Sequence, residues 1–191
     1  MQLFNKFILL SAISFFFMAF TADKGGKTVY DFTVDDIIGN KVELSKYKGK
    51  VLLIVNVASK CGLTPQYADI QELYDEYASE GLVVLGFPAN NFLGQEPGDD
   101  DQINTFCTEK FGVTFPMFSK ISVKGKNMHP LYQFLTQKSE NGVLNAPVQW
   151  NFQKYLIGGN GRVVASFKPG QKVSDEKVLK EIQKELKKIN K

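Results

Sequence analysis

The chain contains two cysteines, Cys61 and Cys107, and the first of them stands at a position that suits chemistry. An apolar and largely β-branched run, VLLIVNVA, ends shortly before Cys61, and Gly62, Thr64 and Pro65 follow it. The run predicts a buried strand, and Pro65 is typical of the first turn of a helix. A sulfur between the two would face backbone N–H groups and the positive end of a helix dipole, which both favour the nucleophilic thiolate.

Several kinds of cysteine chemistry require a partner residue that the sequence around Cys61 does not provide. A local dithiol of the Cys-x-x-Cys type needs a second sulfur where this chain has Thr64. A cysteine hydrolase or acyltransferase needs a histidine, and the only one, His129 in MHPLYQFL, is typical of a structural residue at a helix start. What remains is a lone thiolate that attacks an electrophile such as a peroxide O–O bond, which yields a sulfenic acid. The alternative, that Cys61 is a small buried hydrophobic residue, stays open.

The elements around Cys61 predict a mixed sheet. Val51–Val57 and Leu82–Phe87 are predicted as buried strands, joined by a segment with apolar residues at helical spacing. Phe152–Ile157 and Val163–Phe167 are predicted as a hairpin, closed by a glycine-rich turn. This order predicts a thioredoxin-like α/β fold, with a mixed central sheet flanked by helices. In such a fold ligands bind at the carboxyl end of the first core strand, which is where this cysteine lies.

Shorter elements complete the prediction. Tyr30–Val34 is predicted as the first strand of a short hairpin, and Pro130–Lys138 as a helix. Asp99 is predicted to cap a helix that carries Cys107 on its apolar face, and Ser174 to cap the last helix.

Three long motifs resemble those of the glutathione peroxidase family. VNVASKCGLTPQY resembles the family's first signature, around the peroxidatic residue, FPANNFLGQEPG the second and WNFQKYLIGGNGRVV the third, and MHPLYQFL is a weaker fourth. They occur in the family's order, and the similarity extends from about Tyr30 to the last helix. The resemblance implies a thiol peroxidase that reduces hydrogen peroxide and organic or lipid hydroperoxides.

The resemblance also implies roles for individual residues. Cys61 would be the peroxidatic thiol, and Gln95, Trp150 and Asn151 its hydrogen-bonding partners. These three side chains offer neutral N–H donors, which favour the thiolate and hold the peroxide oxygens without protonating the sulfur. Cys107, in FCTEKFGVTFPMF, resembles the resolving cysteine of the thioredoxin-dependent members, which forms an intramolecular disulfide with the peroxidatic one. The alternative is that Cys107 only fills the apolar face of its helix.

If Cys107 resolves the sulfenic acid at Cys61, its helix must allow the two cysteines to form a disulfide. A disulfide requires the two Cα atoms to lie within about 7 Å of each other. If the helix holds Cys107 farther than this from Cys61, the helix must unwind locally before the bond forms.

Some positions depart from the family's pattern. Asn91 stands where glutamine is usual and Leu93 where glycine is usual, which predicts a differently shaped loop in the second motif. The connection between Leu135 and Trp150 is short where tetrameric members carry an extra loop, so the resemblance implies a monomer. That absence, together with a second cysteine, favours a thioredoxin-like protein over glutathione as the reductant. We expect no cofactor and no metal.

Composition and the N-terminus limit the remaining possibilities. A formal net charge of +3 is too small to indicate nucleic-acid binding, and 191 residues suit one globular domain. FILLSAISFFFMAF, with Lys6 in front of it, is shorter than a membrane-spanning helix and matches a secretory leader. We therefore expect a signal peptide at residues 1–22, a short flexible segment at 23–28 and a glutathione peroxidase-like domain at 29–191. The protein would be exported and keep no membrane span after processing, with an uncleaved membrane anchor as the alternative.

Two other hypotheses remain at this stage. In an exported thiol-disulfide exchange protein, Cys61 and Cys107 would act as a distant dithiol, against which Thr64 argues. In a non-enzymatic module, the two cysteines would form a permanent disulfide or a redox sensor.

Overall fold

The computed structural model describes residues 26–191. The leader predicted at residues 1–22 and the first part of the segment predicted at 23–28 lie outside the described residues, so those boundaries stay predictions. Within the described range, no helix is both long enough and apolar enough to cross a membrane.

Six strands and five α-helices, with two short 3₁₀ helices, make up the regular structure of residues 26–191. In chain order the elements are the 3₁₀ helix Val29–Asp31, β1 (Thr33–Asp35), β2 (Lys41–Glu43), the 3₁₀ helix Leu44–Tyr47, β3 (Val51–Val57), α1 (Gln66–Tyr77), β4 (Leu82–Pro88), α2 (Asp100–Phe111), α3 (Pro130–Thr136), α4 (Lys138–Asn141), β5 (Lys154–Ile157), β6 (Val163–Phe167) and α5 (Glu176–Ile189).

The central sheet has four strands in the order β4-β3-β5-β6. β3 and β4 are parallel and are joined by the crossover helix α1, whereas β5 pairs antiparallel with β3 and forms a hairpin with β6. β1 and β2 form a separate antiparallel hairpin. The predicted mixed sheet with flanking helices, the thioredoxin-like arrangement, is confirmed.

Helices cover both faces of the sheet, which explains the unbroken apolar run of β3. Leu53 and Val55 belong to one hydrophobic cluster, with residues of α1, α2 and α5. Leu52 and Ile54 belong to the other, with residues of α3. All residues of β3 are buried, and each buried aliphatic side chain contributes about 1.5–3 kcal/mol to folding. The strand that leads to Cys61 is therefore firmly anchored between the two clusters.

The prediction for the first strand is wrong by several residues. Val29–Asp31 forms a 3₁₀ helix, and β1 begins only at Thr33. The cause is local, because the Thr28 N–H donates to Asp31 Oδ2 at 2.7 Å and the Thr28 hydroxyl accepts from the Tyr30 N–H at 3.3 Å. Side chains that bond to nearby backbone compete with strand pairing.

The predicted helix Pro130–Lys138 is interrupted. α3 ends at Thr136, Gln137 is extended, and α4 begins at Lys138. The Thr136 carbonyl accepts a hydrogen bond from the Ala146 N–H at 2.9 Å, so a tertiary contact takes the place of the next helical bond.

The predicted caps have different outcomes. Asp99 caps α2, since its carboxylate accepts from the Gln102 N–H at 2.9 Å and its own N–H donates to the Gln102 side chain at 3.1 Å. Ser174 does not cap α5. The N-cap residue is Asp175, whose carbonyl accepts from the N–H groups of Val178 and Leu179 at 2.9 and 3.0 Å.

Candidate active site

Cys61 lies in a series of tight turns between β3 and α1, and it is nearly buried, with 8% of its surface exposed. The expectation that it stands at the helix terminus needs correction, because α1 begins only at Gln66. The Thr64 N–H donates to the Cys61 carbonyl at 3.0 Å, and the Gln66 N–H donates to the Leu63 carbonyl at 2.9 Å. The donor that reaches the sulfur is the Leu63 N–H, at 3.4 Å from Sγ. The turn, rather than the helix, therefore supplies the stabilising N–H.

Thr64 occupies the place of a second sulfur and has a structural role there. Its hydroxyl accepts from the Cys61 N–H at 3.0 Å and donates to the Ala58 carbonyl at 2.8 Å. The side chain is buried and joins the end of the strand segment to the cysteine. The turn is thus built around a hydroxyl, and Cys61 has no neighbouring thiol within it.

Gln95 and Asn151 form a side-chain pair beside this turn. Asn151 is fully buried, and its Nδ2 donates to Gln95 Oε1 at 2.9 Å. The Lys60 N–H donates to the Gln95 carbonyl at 3.0 Å, which ties the loop of Gln95 to the residue before Cys61. Because Oε1 faces Asn151, the NH₂ of Gln95 is left as a donor for a ligand.

Trp150 completes the group of predicted site residues. It is half-buried, packs against the hydrophobic cluster that includes Cys61, and lies 5.1 Å from the Phe92 ring, centroid to centroid. Its carbonyl accepts from Asn56 Nδ2 at 3.1 Å, and Asn56 belongs to β3. The strand that leads to the cysteine therefore also holds the tryptophan.

A left-handed residue shapes the turn that carries Trp150 and Asn151. Phe152 has φ +67°, and its N–H donates to the Asn56 carbonyl at 2.6 Å. The sequence predicts that this strand begins at Phe152, but β5 begins at Lys154. The left-handed conformation of Phe152 explains the difference. It costs about 1–2 kcal/mol in a residue other than glycine. The fully buried Phe152 ring, 5.4 Å from that of Tyr67, offsets the cost.

The loop before Gln95 contains the two departures from the family's pattern. Leu93 has φ +53° and Gly94 φ +66°, and the Gln95 N–H closes the turn on the Phe92 carbonyl at 3.1 Å. The Leu93 side chain is 83% exposed. Asn91 holds the loop to the following segment, since its Oδ1 accepts from the Val123 N–H at 2.8 Å. Leucine thus occupies a left-handed position that glycine adopts without cost.

Cys107 lies on the buried face of α2. Both Cys107 and Cys61 are free thiols. Burial raises the pKa of the Cys107 thiol to about 11; the adjacent Tyr67 hydroxyl opposes this effect, and the nearby Glu96 carboxylate adds to it. The thiol is therefore protonated and unreactive while α2 is intact.

Glu96 is a buried carboxylate that sequence reasoning missed. The Ser59 hydroxyl donates to its Oε2 at 3.1 Å, while Oε1 is buried without a hydrogen-bond partner among the described residues. Burial raises the pKa of Glu96, against the hydrogen bonds from Ser59 and the charges of Lys120 and Lys60. The one feature of the sequence that could have indicated a role for Glu96 at the site is its position next to Gln95 in the second motif.

A cleft of about 510 Å³ opens beside the turn of Cys61. Ser59 and Lys60 line one side, and Ile103 and Phe106 of α2 line the other. It therefore lies between the segment that carries Cys61 and the helix that carries Cys107.

Comparison with known proteins identifies the family. The family model described as glutathione peroxidase matches residues 29–136. The glutathione peroxidase of Lactococcus lactis is 48% identical over 157 residues, which cover 82% of this chain and 98% of that protein. The chain belongs to the glutathione peroxidase family. The thioredoxin/glutathione peroxidase BtuE of Escherichia coli K12 is 45% identical over 168 residues, with 78% of this chain and 92% of that protein covered.

Solved structures agree with this assignment. The crystal structure of Trgpx in its apo form has a TM-score of 0.68 at 39% identity and covers 85% of this chain and 97% of that one. T. cruzi GPX1 has a TM-score of 0.67 at 36% identity, with coverage of 84% and 97%. A thiol:disulfide interchange protein from Chlorobium tepidum has a TM-score of 0.59 at 16% identity, which shows the fold alone. The chain is therefore a thiol peroxidase, and the thiol-disulfide exchange alternative is not favoured.

Proposed function

We propose that Cys61 is the peroxidatic residue of this glutathione peroxidase-like enzyme and that Gln95, Trp150 and Asn151 assist it. One observation carries the proposal. The Lys60 N–H holds the Gln95 loop at 3.0 Å, and the Asn151 amide holds the Gln95 side chain at 2.9 Å. An amide pair from two distant segments is therefore tied, through the Gln95 loop, to the residue that precedes Cys61.

In the first half-reaction, the Cys61 thiolate attacks one oxygen of a hydroperoxide. An S–O bond forms as the O–O bond breaks, so the sulfur is oxidised to a sulfenic acid and the peroxide is reduced to an alcohol or water after it takes up a proton. The Gln95 NH₂ and the Trp150 indole N–H donate to the oxygen on which negative charge develops. The Leu63 N–H stabilises the thiolate before the attack.

In the second half-reaction, Cys107 resolves the sulfenic acid. Its sulfur attacks the Cys61 sulfur, a disulfide forms, and the hydroxyl leaves as water with the Cys107 proton. Because Cys107 is buried on α2, the helix opens locally for this step. A thioredoxin-like protein or glutathione then reduces the disulfide, and the name of the Escherichia coli relative includes both reductants.

The cleft lined by Ser59 and Lys60, the two residues before Cys61, supports a role for organic and lipid hydroperoxides alongside hydrogen peroxide. Ile103 and Phe106 give it an apolar wall on the α2 side. A monomer leaves this cleft open to bulky substrates, and a leader at residues 1–22 would export the enzyme to an oxidising compartment. A clear preference for hydrogen peroxide over a lipid hydroperoxide in competition kinetics would contradict the substrate proposal.

A single-turnover experiment tests the roles of the two cysteines. Reduced parent, Cys61→Ser and Cys107→Ser proteins are each mixed with excess peroxide without a reductant, and peroxide consumption is measured within seconds. Cys107→Ser should consume peroxide as rapidly as the parent, and Cys61→Ser should consume none at that rate. Rapid consumption by Cys61→Ser would overturn the proposal.

A further inference from the structure

Lys154 is a buried cation that the proposed mechanism does not use. It lies on β5 and is fully buried. Its Nζ donates to Gln66 Oε1 at 2.5 Å and to the carbonyls of Pro169 and Gln171 at 3.0 and 2.6 Å. An ammonium group has three N–H donors, and each of them has an acceptor here. None of these acceptors carries a charge.

Burial of the Lys154 ammonium group costs free energy that a purely structural role in packing does not explain. Burying a cation against neutral acceptors removes its hydration without a full counter-charge. Burial lowers the pKa of Lys154 to about 8, and the more distant charges of Asp175 and Asp69 only partly oppose this. Asp69 is itself paired with Lys172 at 3.5 Å. An apolar side chain of similar volume would fill the same space at lower cost, so the ammonium group needs another explanation.

The hydrogen bonds of Lys154 lead to the reactive cysteine. Gln66 is the first residue of α1, and Lys154 together with the Pro169 carbonyl, at 2.9 Å from Gln66 Nε2, fixes both ends of its amide. The Gln66 backbone N–H donates to the Leu63 carbonyl at 2.9 Å. The Leu63 N–H in turn donates to the Cys61 sulfur at 3.4 Å. Hydrogen bonds at the side chain and backbone of Gln66 and at the backbone of Leu63 therefore connect the ammonium group, through these two residues, to the turn that holds the sulfur.

We propose that Lys154 is a positioning residue for Cys61, which fixes through Gln66 the turn whose Leu63 N–H donates to the sulfur. The proposal rests on the proposed function only in taking Cys61 as the reacting sulfur. Without the ammonium group the Gln66 amide loses a donor and can rotate, the turn loosens, and the thiolate is less well stabilised. The effect falls on the ionisation and reactivity of Cys61, beyond any effect on folding.

The test measures the pH midpoint for alkylation of Cys61 by iodoacetamide, read by mass spectrometry of the reduced protein. In Lys154→Met we expect the midpoint to rise by about one pH unit, equivalent to a tenfold change in ionisation, and the rate constant with hydrogen peroxide to fall by a similar factor. Asn141→Ala is the matched control. Asn141 is also buried and polar, and its Nδ2 donates to the Phe134 carbonyl at 2.8 Å, in the other hydrophobic cluster. The Asn141→Ala protein should be less stable than the parent, but the pH midpoint for alkylation of its Cys61 should not change.

A second variant covers the case in which Lys154→Met does not fold. Gln66→Met leaves Lys154 bonded to the two carbonyls but removes the hydrogen bonds that join the Gln66 side chain to Lys154 and to Pro169, so it should shift the midpoint for Cys61 alkylation in the same direction. An unchanged midpoint in folded Lys154→Met, or in Gln66→Met, would overturn the inference. Alkylation does not involve peroxide, so this result is separate from the fate of the proposed function. Peroxide consumption by Cys61→Ser would overturn that function and leave the alkylation result interpretable.

Discussion

At the scale of single residues, the site combines one sulfur with neutral donors. No positively charged side chain makes a hydrogen bond to Cys61 among the described residues, and the Leu63 N–H is the donor to its sulfur. Neutral donors stabilise charge on a sulfur or oxygen without giving up a proton. In the proposed mechanism the reactivity of Cys61 therefore depends on the placement of the amide and indole groups of Gln95, Asn151 and Trp150.

Replacement of Gln95 tests that dependence. Gln95→Leu removes the amide donor and the acceptor of Asn151, and we expect kcat/KM for hydrogen peroxide to fall by about 10²-fold, as for loss of one oxyanion donor. Gln133→Leu is the control, because Gln133 is exposed on α3 and its Nε2 donates only to the Met128 carbonyl at 3.0 Å. Steady-state kinetics of both variants measure the difference. Equal activity in the two variants would show that Gln95 does not assist catalysis.

The two thiols should differ widely in reactivity. Because the pKa of Cys107 is raised to about 11 by burial, only about one part in a thousand is ionised at pH 8. Brief treatment of the reduced protein with iodoacetamide at pH 8 should label Cys61 and leave Cys107 unlabelled until the protein is denatured. Peptide mapping measures the labelling. Equal labelling of the two would mean that α2 does not protect Cys107 in solution.

At the scale of elements, the proposed resolution by Cys107 requires α2 to move. It is held at its start by the Asp99–Gln102 capping box and at its end by Gly112 in the left-handed conformation. A helix with defined caps opens as a unit, and the stability of the caps sets how often it opens. We therefore expect the proposed resolution by Cys107 to depend on the ends of the helix as well as on the cysteine.

Removal of the cap should accelerate disulfide formation. Asp99→Ala destabilises the start of α2 by about 1 kcal/mol, so more molecules expose Cys107 at equilibrium, and the disulfide should form several-fold faster after a peroxide pulse. Asp101→Ala is the control, since Asp101 is exposed in the first turn but is not the capping residue. Quenched-flow mass spectrometry follows the disulfide. Slower or unchanged formation in Asp99→Ala would contradict the opening of α2 as the limiting event.

At the scale of the whole molecule, the buried charge of Lys154 affects stability. The pKa of Lys154 is about 8 in the folded protein and 10.5 in the unfolded chain, so unfolding takes up a proton between these pH values. Proton uptake becomes less favourable as pH rises, so the free energy of unfolding should increase by up to about 3 kcal/mol between pH 8 and pH 10.5. Lys154→Met should lack this increase. Denaturant titrations of both proteins across the range measure it, and parallel curves would contradict a buried ammonium group.

The main outlines of this molecule were accessible from its sequence, because they depend on short-range patterns. The apolar run of β3, the capping box of Asp99 and the glycine-rich hairpin turn are local features, and the structure has them as predicted. The motifs also predict Cys61 and Gln95 as candidate site residues. Patterns of this kind specify an element or a family position without reference to the rest of the chain.

What the sequence did not indicate depends on contacts between distant segments. Lys154 looks like an ordinary charged residue until Gln66 and the carbonyls around Pro169 are seen to surround it. Glu96 likewise is of a residue type that is usually solvated, but in the folded protein it is fully buried. The left-handed backbone of Phe152 follows from its bond to Asn56, which lies almost a hundred residues earlier. Such features need the assembled fold.

The most direct test of the central claim is the intact mass of the reduced protein after one equivalent of hydrogen peroxide, measured for the parent and for Cys107→Ser. We expect the parent to lose two hydrogens, as Cys61 and Cys107 form a disulfide, and Cys107→Ser to gain one oxygen at Cys61. A Cys107→Ser protein in which Cys61 stays unmodified would contradict Cys61 as the peroxidatic residue. A parent that stops at the added oxygen would contradict Cys107 as the resolving one.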